Sequence, residues 1–180
     1  MLKTKVITGK VRLNYTHLFK PKAIEEGNEP KYSATLIIPK KDIKTVNKIA
    51  LALDAATENG KPIWKDQGEE VLICVKDGDK EKIGEEAYKD SYFINASSKY
   101  KPGIVDINLN QIIDETQIYS GCYARCSINF YPYNQEGKIG IACSIENIQK
   151  LSDGEMLGRT SAAQDFSTPY EEDILIWKKH

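Results

Sequence analysis

From Tyr119 to Tyr133 the chain alternates between two kinds of residue with a period of two. Cys122, Ala124, Cys126, Ile128 and Phe130 form one series, and Tyr119, Tyr123, Arg125, Ser127, Asn129, Tyr131 and Tyr133 the other. A helix would scatter these over its whole circumference, whereas a strand sends successive side chains to opposite faces. The stretch therefore has to be a strand with an apolar side and an aromatic-polar side. Asn134-Gln135-Glu136-Gly137 reads as a turn, and alternation resumes from Lys138 to Asn147. A four-residue turn places Tyr133 opposite Lys138, Tyr131 opposite Gly140, Asn129 opposite Ala142 and Ser127 opposite Ser144. On the other face it pairs Phe130 with Ile141, Ile128 with Cys143 and Cys126 with Ile145, so the apolar sides coincide. The same register sets Arg125 opposite Glu146, where a cross-strand ion pair is expected.

The rest of the chain is read against that hairpin. Val6 to Phe19 and Tyr32 to Ile38 alternate as strands, Pro39 stopping the second. Asp42 caps an expected helix over about 42–59, with Ile43, Val46, Ala50 and Leu53 at helical spacing and Gly60 at its end. Residues 61–90 read as an extended acidic loop around one short strand, Val71 to Val75. Tyr92 to Ser97 is a strand, Ser98 to Gly103 an exposed basic turn, and Ile104-Val105-Asp106 extended. Alternation stops after Leu151, and Ser, Gly, Asp and Thr dominate until Pro169. The expected organisation is a domain over 1–151 and an acidic, mobile tail over 152–180. Several short strands around one helix predict a mainly β protein, a small closed barrel that fits the five-stranded OB fold.

The chain has 180 residues, enough for one full core. Its net charge of −1 conceals an asymmetry, because residues 1–22 carry Lys3, Lys5, Lys10, Arg12, Lys20 and Lys22 and no acid. Residues 151–180 are acid-rich. Cys122 and Cys126 share a strand face at about 13 Å, too far for a disulfide. With no CxxC pair, the four cysteines read as buried free thiols of a reducing compartment. No apolar run is long enough to span a bilayer and the first residues open a strand pattern, so a cytoplasmic location is expected.

Flat rings spaced along a strand, with a guanidinium among them, suit the stacking of unpaired bases without reading their identity. Tyrosines also decorate sheet faces that a helix covers, and the pattern alone leaves both readings open. Asp77-Gly78-Asp79 is a turn before it is a metal site, and His17 has no recognisable nucleophile or orienting acid beside it. No glycine-rich phosphate loop occurs. No cofactor, metal or catalytic residue is expected. A nuclease and a protein-interaction module remain the rival classes.

Several segments resemble a family of bacteriophage and prophage single-stranded-DNA-binding proteins. They are Gly9-Lys10-Val11-Arg12-Leu13, Tyr15-Thr16-His17-Leu18-Phe19-Lys20-Pro21 and the run from Lys31 to Lys40, then Phe93 to Pro102, Tyr119 to Ala124, and Asn147 to Leu151 with Asp153-Gly154-Glu155. The resemblance spans roughly residues 5–160 and is similar in kind to the helix-destabilising proteins of podovirus-type phages. It implies an OB fold, sequence-tolerant binding of single strands during phage replication and recombination inside the bacterial host, and no catalysis. The candidate stacking residues are Tyr119, Tyr123, Tyr131 and Tyr133, then Tyr15, Phe19 and Tyr100; a core role for Tyr15 is equally open, since it continues the parity of Val11 and Leu13. Candidate phosphate contacts are Lys10, Arg12, Lys20, Lys22, Lys99, Lys101 and Arg125. Phe166, Tyr170, Glu171, Glu172, Asp173 and Trp177 are candidates for docking replication or recombination proteins, although Lys178-Lys179-His180 depart from the family's acidic ending. A homodimer is compatible with the resemblance.

Overall fold

The computed structural model describes residues 3–65 and 70–171. The expected first strand is two, β1 (Lys5–Ile7) and β2 (Val11–Lys22), followed by β3 (Lys31–Pro39), α1 (Ile43–Trp64), β4 (Leu72–Ile73), β5 (Val75–Asp77) and the short α2 (Gly78–Glu81). Then come β6 (Ser91–Ser98), β7 (Gly103–Val105), β8 (Tyr123–Gln135), β9 (Lys138–Ser152) and the one-turn α3 (Ala162–Asp165). Five long strands run in the order β9-β8-β2-β3-β6, with β1 added to β8 and β7 to β9. β6 comes back close to β9 but shares no ladder with it among the described residues. The seam is closed by the 72–77 segment, whose β4 pairs in parallel with Gly140 and Ile141 of β9 while β5 pairs with Tyr92 to Ile94 of β6. This is the five-stranded OB barrel, with four short strands appended.

The barrel interior is the apolar parity of each strand. Val11 and Leu13, Leu36 and Ile38, Ile94 and Ala96, Cys126, Ile128 and Phe130, and Ile141, Cys143 and Ile145 are all buried in one cluster. The β8–β9 hairpin differs from expectation by two residues, since Glu136 and Gly137 both take positive φ (52° and 86°) and make a two-residue turn. Gln135 therefore pairs with Lys138, Tyr133 with Gly140, Tyr131 with Ala142 and Asn129 with Ser144. A shift of two leaves every side chain on its face, which is why the apolar match survives. A bulge between Ser127 and Ile128 then advances the partner, so that Cys126 meets Ile148 instead of Ile145. The extra residue is Glu146, which pairs with Lys5 at 2.8 Å, and Arg125 faces Gln149, to which its Nε donates at 2.9 Å. The expected Arg125–Glu146 pair does not form.

α1 begins where Asp42 accepts from Thr45 N–H and from the Thr45 hydroxyl, while that hydroxyl accepts from Gly9 N–H at 2.8 Å. The helix does not stop at Gly60 but continues through Pro62 to Trp64. Gly and Pro in a helix cost about 1 and about 3 kcal/mol. Burying an indole of some 150–250 Å² contributes roughly 4–6 kcal/mol, enough to offset them. Trp64 is 6% exposed, its ring lies against Gly60, and its Nε1–H donates to Tyr133 O at 3.0 Å. The buried side of α1 is Thr45, Ile49, Ala52, Ala56 and Trp64, and Ile43 and Ala50 of the expected face are exposed.

Residues 61–90 are more structured than the expected loop. Beyond the last turn of α1, the expected 71–75 strand is split at Cys74, and Asp77-Gly78-Asp79 opens α2. Lys40 Nζ bridges Asp77 (2.8 Å) and Asp79 (2.7 Å), and no cluster of metal-ligating residues occurs among the described residues. Tyr88 from this segment packs with Ile37 and Phe93 into a small second core on the outer face of β3 and β6. The described cysteines carry no disulfide; Cys122, Cys126 and Cys143 are buried, and burial pushes the Cys126 thiol up to about 12, whereas Cys74 is half-exposed. Asp42→Ala is expected to lower unfolding free energy by about 1 kcal/mol through loss of the cap, measured by denaturant or thermal unfolding.

Candidate nucleic-acid interface

The outer face of β3 and β6 carries small polar side chains, Ser33 and Thr35 on one strand and Asn95 and Ser97 on the other, paired across the ladder as Ser33–Ser97 and Thr35–Asn95. Three hollows meet there, and Ser97 borders all of them. The first, about 420 Å³, is lined by Tyr15, His17 and Lys22 of β2, by Ile24 and by this polar floor. The second, about 650 Å³, runs under the seam strap, with Leu72, Ile73, Tyr133 and Ala142 in its walls. The third, about 510 Å³, is bounded by Lys31, Lys99, Tyr100, Lys101, Tyr131 and Ser144. Together they make a groove floored by hydroxyls and an amide and walled by tyrosines and lysines.

Each wall has an identifiable cause. Tyr15 departs from the parity of Val11 and Leu13 because β2 bulges between Asn14 and His17. Its φ is +46°, a strained backbone worth about 1–3 kcal/mol for a non-glycine residue. Asn14, buried, holds it there: Oδ1 accepts from Tyr15 N–H at 2.9 Å and Nδ2 donates to the Tyr88 hydroxyl at 2.7 Å. The ring ends 58% exposed at the edge of the groove instead of in the core. Tyr131 faces Ala142 and is 38% exposed, and the Tyr133 ring lies across Gly140, where a side chain would collide with it. Tyr100 is 82% exposed at the tip of the basic turn. Phe19 packs one side on the core and carries Lys101 Nζ 5.2 Å from its ring centre. Lys20 is exposed on β2, and Lys99 pairs with Glu29 at 3.3 Å in full solvent, a contact worth little. His17 is held below its ordinary pKa, first by burial and then by Lys22.

The remaining aromatic residues of the alternating stretch stand elsewhere. Tyr119 precedes β8, and its hydroxyl has two acceptors in reach of its one proton, Gly154 O (3.0 Å) and Asp153 Oδ1 (3.1 Å), while accepting from Gly154 N–H (3.1 Å). Tyr123 has Lys10 Nζ 4.6 Å and the Arg12 guanidinium 5.4 Å from its ring centre, with Gly154 against its edge. Arg12 Nε and Nη2 donate to Gly121 O and Glu155 O at 3.1 and 2.6 Å. Gly121, at φ +117°, leaves no space for a Cβ beside the Glu155 carbonyl. Tyr119 to Tyr123 and Asp153 to Glu155 thus form a clasp, and Leu157 packs behind it on the second core. The docked chain runs past the expected boundary at 151. Phe166, Tyr170 and Glu171 are exposed, and Glu172, Asp173 and Trp177 lie outside the described residues.

Ser33, Thr35, Asn95, Ser97, Lys31 and the strap residues Leu72 and Ile73 were not singled out by sequence. The signal available was the run of small polar residues at alternate positions of β3 and β6, which reads as any solvated face until the neighbouring walls are seen.

A barrel of this connectivity, with a basic, aromatic groove over its second and third long strands, defines the class of OB-type nucleic-acid binders. The chain belongs to the family described as the single-stranded-DNA-binding protein of Enterobacter phage Enc34, whose model matches residues 4–175. Its fold is similar to that of the single-stranded-DNA-binding protein from bacteriophage Enc34 in complex with ssDNA (TM-score 0.74, 26% identity, covering 86% of this chain and 90% of that one). It is similar in fold to gp2.5 of bacteriophage T7 (TM-score 0.67, 13% identity, 95% and 97% covered). Protein p50 of Acyrthosiphon pisum secondary endosymbiont phage 1 is 26% identical over 187 residues, 95% of this chain and 98% of the relative.

The clasp generates a test. Lys150 and Tyr119 hold the Asp153 carboxyl below the usual range. A depressed folded pKa stabilises fully above the unfolded value, about 3.9, and the effect is lost as pH falls through the lowered value. Tyr119→Phe is expected to cost about 1 kcal/mol in unfolding and to speed limited proteolysis around 153–157. Acidification below about pH 4 should loosen the same segment in the parent protein.

Proposed function

We propose that this protein binds single-stranded DNA in the groove over β3 and β6, without catalysis, keeping unpaired strands open during phage DNA replication and recombination in the host cytoplasm. The observation that carries the reading is the convergence of three hollows on Ser97, where Tyr15, Tyr131 and Tyr100 are exposed beside Lys22, Lys31, Lys99 and Lys101. Tyrosine faces attract unstacked bases of any identity, and the lysines meet phosphates. Membership in a family named for single-strand binding supports a binding protein over a nuclease. Lys20, exposed on β2, is taken as a further phosphate contact. Tyr133 serves as a wall and Phe19 as support for Lys101. Lys10, Arg12, Tyr123 and Tyr119 act first in the clasp. Arg125, turned to Gln149, is a peripheral contact. Phe166, Tyr170 and the acidic end are proposed to meet a partner protein.

Fluorescence anisotropy with a labelled single strand tests this. Tyr131→Ala and Tyr100→Ala are each expected to weaken binding by ~1–3 kcal/mol with unchanged melting, and Tyr119→Phe to leave affinity intact. Affinity should fall with added salt, with a slope of about −0.7 per phosphate contacted. Duplex DNA should bind more weakly, because its bases are already stacked. Equal affinity for duplex and single strand, or indifference to both tyrosine replacements, overturns the proposal.

A further inference from the structure

We infer that the turn from Asp106 to Glu115 is the docking site of the chain's own segment Ile174-Leu175-Ile176-Trp177-Lys178-Lys179-His180, apolar side chains against apolar ones and lysines against acids. The inference stands apart from the groove and from what the groove binds.

The turn shows large apolar side chains to water. Ile107, Leu109 and Ile113 are 63%, 72% and 82% exposed, three within seven residues. Ile112 between them is the anchor: it is buried, and its N–H donates to Ile104 O at 3.0 Å. The turn is also preformed. Asp106 Oδ1 accepts from Asn108 N–H and Asn110 N–H, each at 2.9 Å, and Leu109 N–H donates to Asp106 O at 3.0 Å. These bonds hold Leu109 at φ +67°, a strained conformation for a leucine. Gln149 Nε2 lies 3.4 Å from the carbonyls of Asp106 and Ile107 and ties the turn to β9. A surface ordered in advance binds without losing further conformational freedom.

Charge selects the occupant. Between Pro102 and Ala124 there is no lysine or arginine, and the charged residues are Asp106, Asp114 and Glu115. None of the three is in an ion pair among the described residues, and Lys150, which helps hold the Asp114 carboxyl below its usual range, is bonded to Asp153 at 2.6 Å. Like charge repels phosphates here, so the turn does not extend the DNA groove. Its complement is an apolar run joined to cations. Ile174 to Trp177 followed by Lys178 and Lys179 has that composition, although it lies outside the described residues.

The chain also brings the two together. Leu157 N–H donates to Ser120 O at 2.8 Å, so the chain leaves the clasp beside a residue seven positions past Ile113. At most ~25 Å separates Ile113 from Ser120, and the seventeen residues from Leu157 to Ile174 span up to ~55 Å when extended. Docking is therefore intramolecular, which favours even a small contact.

Trp177 fluorescence tests this, taken as the difference between the whole chain and its Trp177→Phe variant, with Trp64 buried in the barrel. Acrylamide is expected to quench Trp177 several-fold more slowly in the native protein than in denaturant. That protection should not change with protein concentration or with saturating oligothymidylate. Leu109→Asn with Ile113→Ser keeps a residue that tolerates positive φ and removes the apolar contacts. It should abolish the protection and speed tryptic cleavage after Lys178 and Lys179, at an unchanged melting temperature. Lys178→Glu with Lys179→Glu leaves the barrel untouched and should weaken the protection, most visibly at low salt. Full quenching in the parent protein, or protection that survives either pair of replacements, overturns the docking. Protection that grows with protein concentration assigns the contact to a second copy, and protection released by oligothymidylate assigns it to the groove; each overturns the inference as well.

Discussion

The groove is held in place by the two-faced ladder of β8 and β9. Its inner side contributes Cys126, Ile128, Phe130, Ile141, Cys143, Ile145 and Ile148 to the barrel core, so the register is fixed by burial along its whole length. Its outer side sets Tyr131 beside Ala142 and Tyr133 over Gly140. The bulge at Glu146 lets the inward parity pass from Ile145 to Ile148 and frees a carboxylate for Lys5, which secures β1. Without that one-residue insertion the two halves of β9 would turn opposite faces to the core.

Closure of the barrel depends on a second device. β6 and β9 approach one another without pairing, and the 72–77 strap stitches them by a two-residue parallel ladder on one side and a three-residue antiparallel ladder on the other. Because the strap bridges the seam instead of filling it, the outer polar face of β3 and β6 stays open next to an apolar wall. The 77–90 segment is anchored by Lys40 between Asp77 and Asp79, and it places Tyr88 over Ile37 and Phe93. That small core separates the groove from the Lys10–Arg12–Tyr123 cluster, so the tyrosines of β8 work in two places and not along one platform. The motif residues divide in the same way: Tyr15 and His17 of β2 line the groove with Ser33, Thr35, Asn95 and Ser97, whereas Arg12, Tyr119 to Tyr123 and Asp153 to Glu155 lock the chain end to the barrel.

Elements with one buried face are legible in the amino-acid sequence. Period-two alternation marked β2, β3, β6, β8 and β9, Asp42 marked the start of α1, and the faces of Cys126 to Phe130 and Tyr131 to Tyr133 followed from parity alone, because burial penalises any slip of one residue. Motif similarity added the family and with it the OB barrel. Features set by partners far along the chain emerge only once the chain is folded. Tyr15 leaves the core because Tyr88, 74 residues beyond Asn14, holds that Asn14 in place. α1 passes Gly60 and Pro62 because Trp64 finds a buried seat and the Tyr133 carbonyl. Tyr119 and Tyr123 are taken up by Asp153, Gly154, Lys10 and Arg12, and Asn95 is aimed by Thr35. Local pattern fixes which face a residue shows, but long-range hydrogen bonds and packing decide whether that face is free to bind.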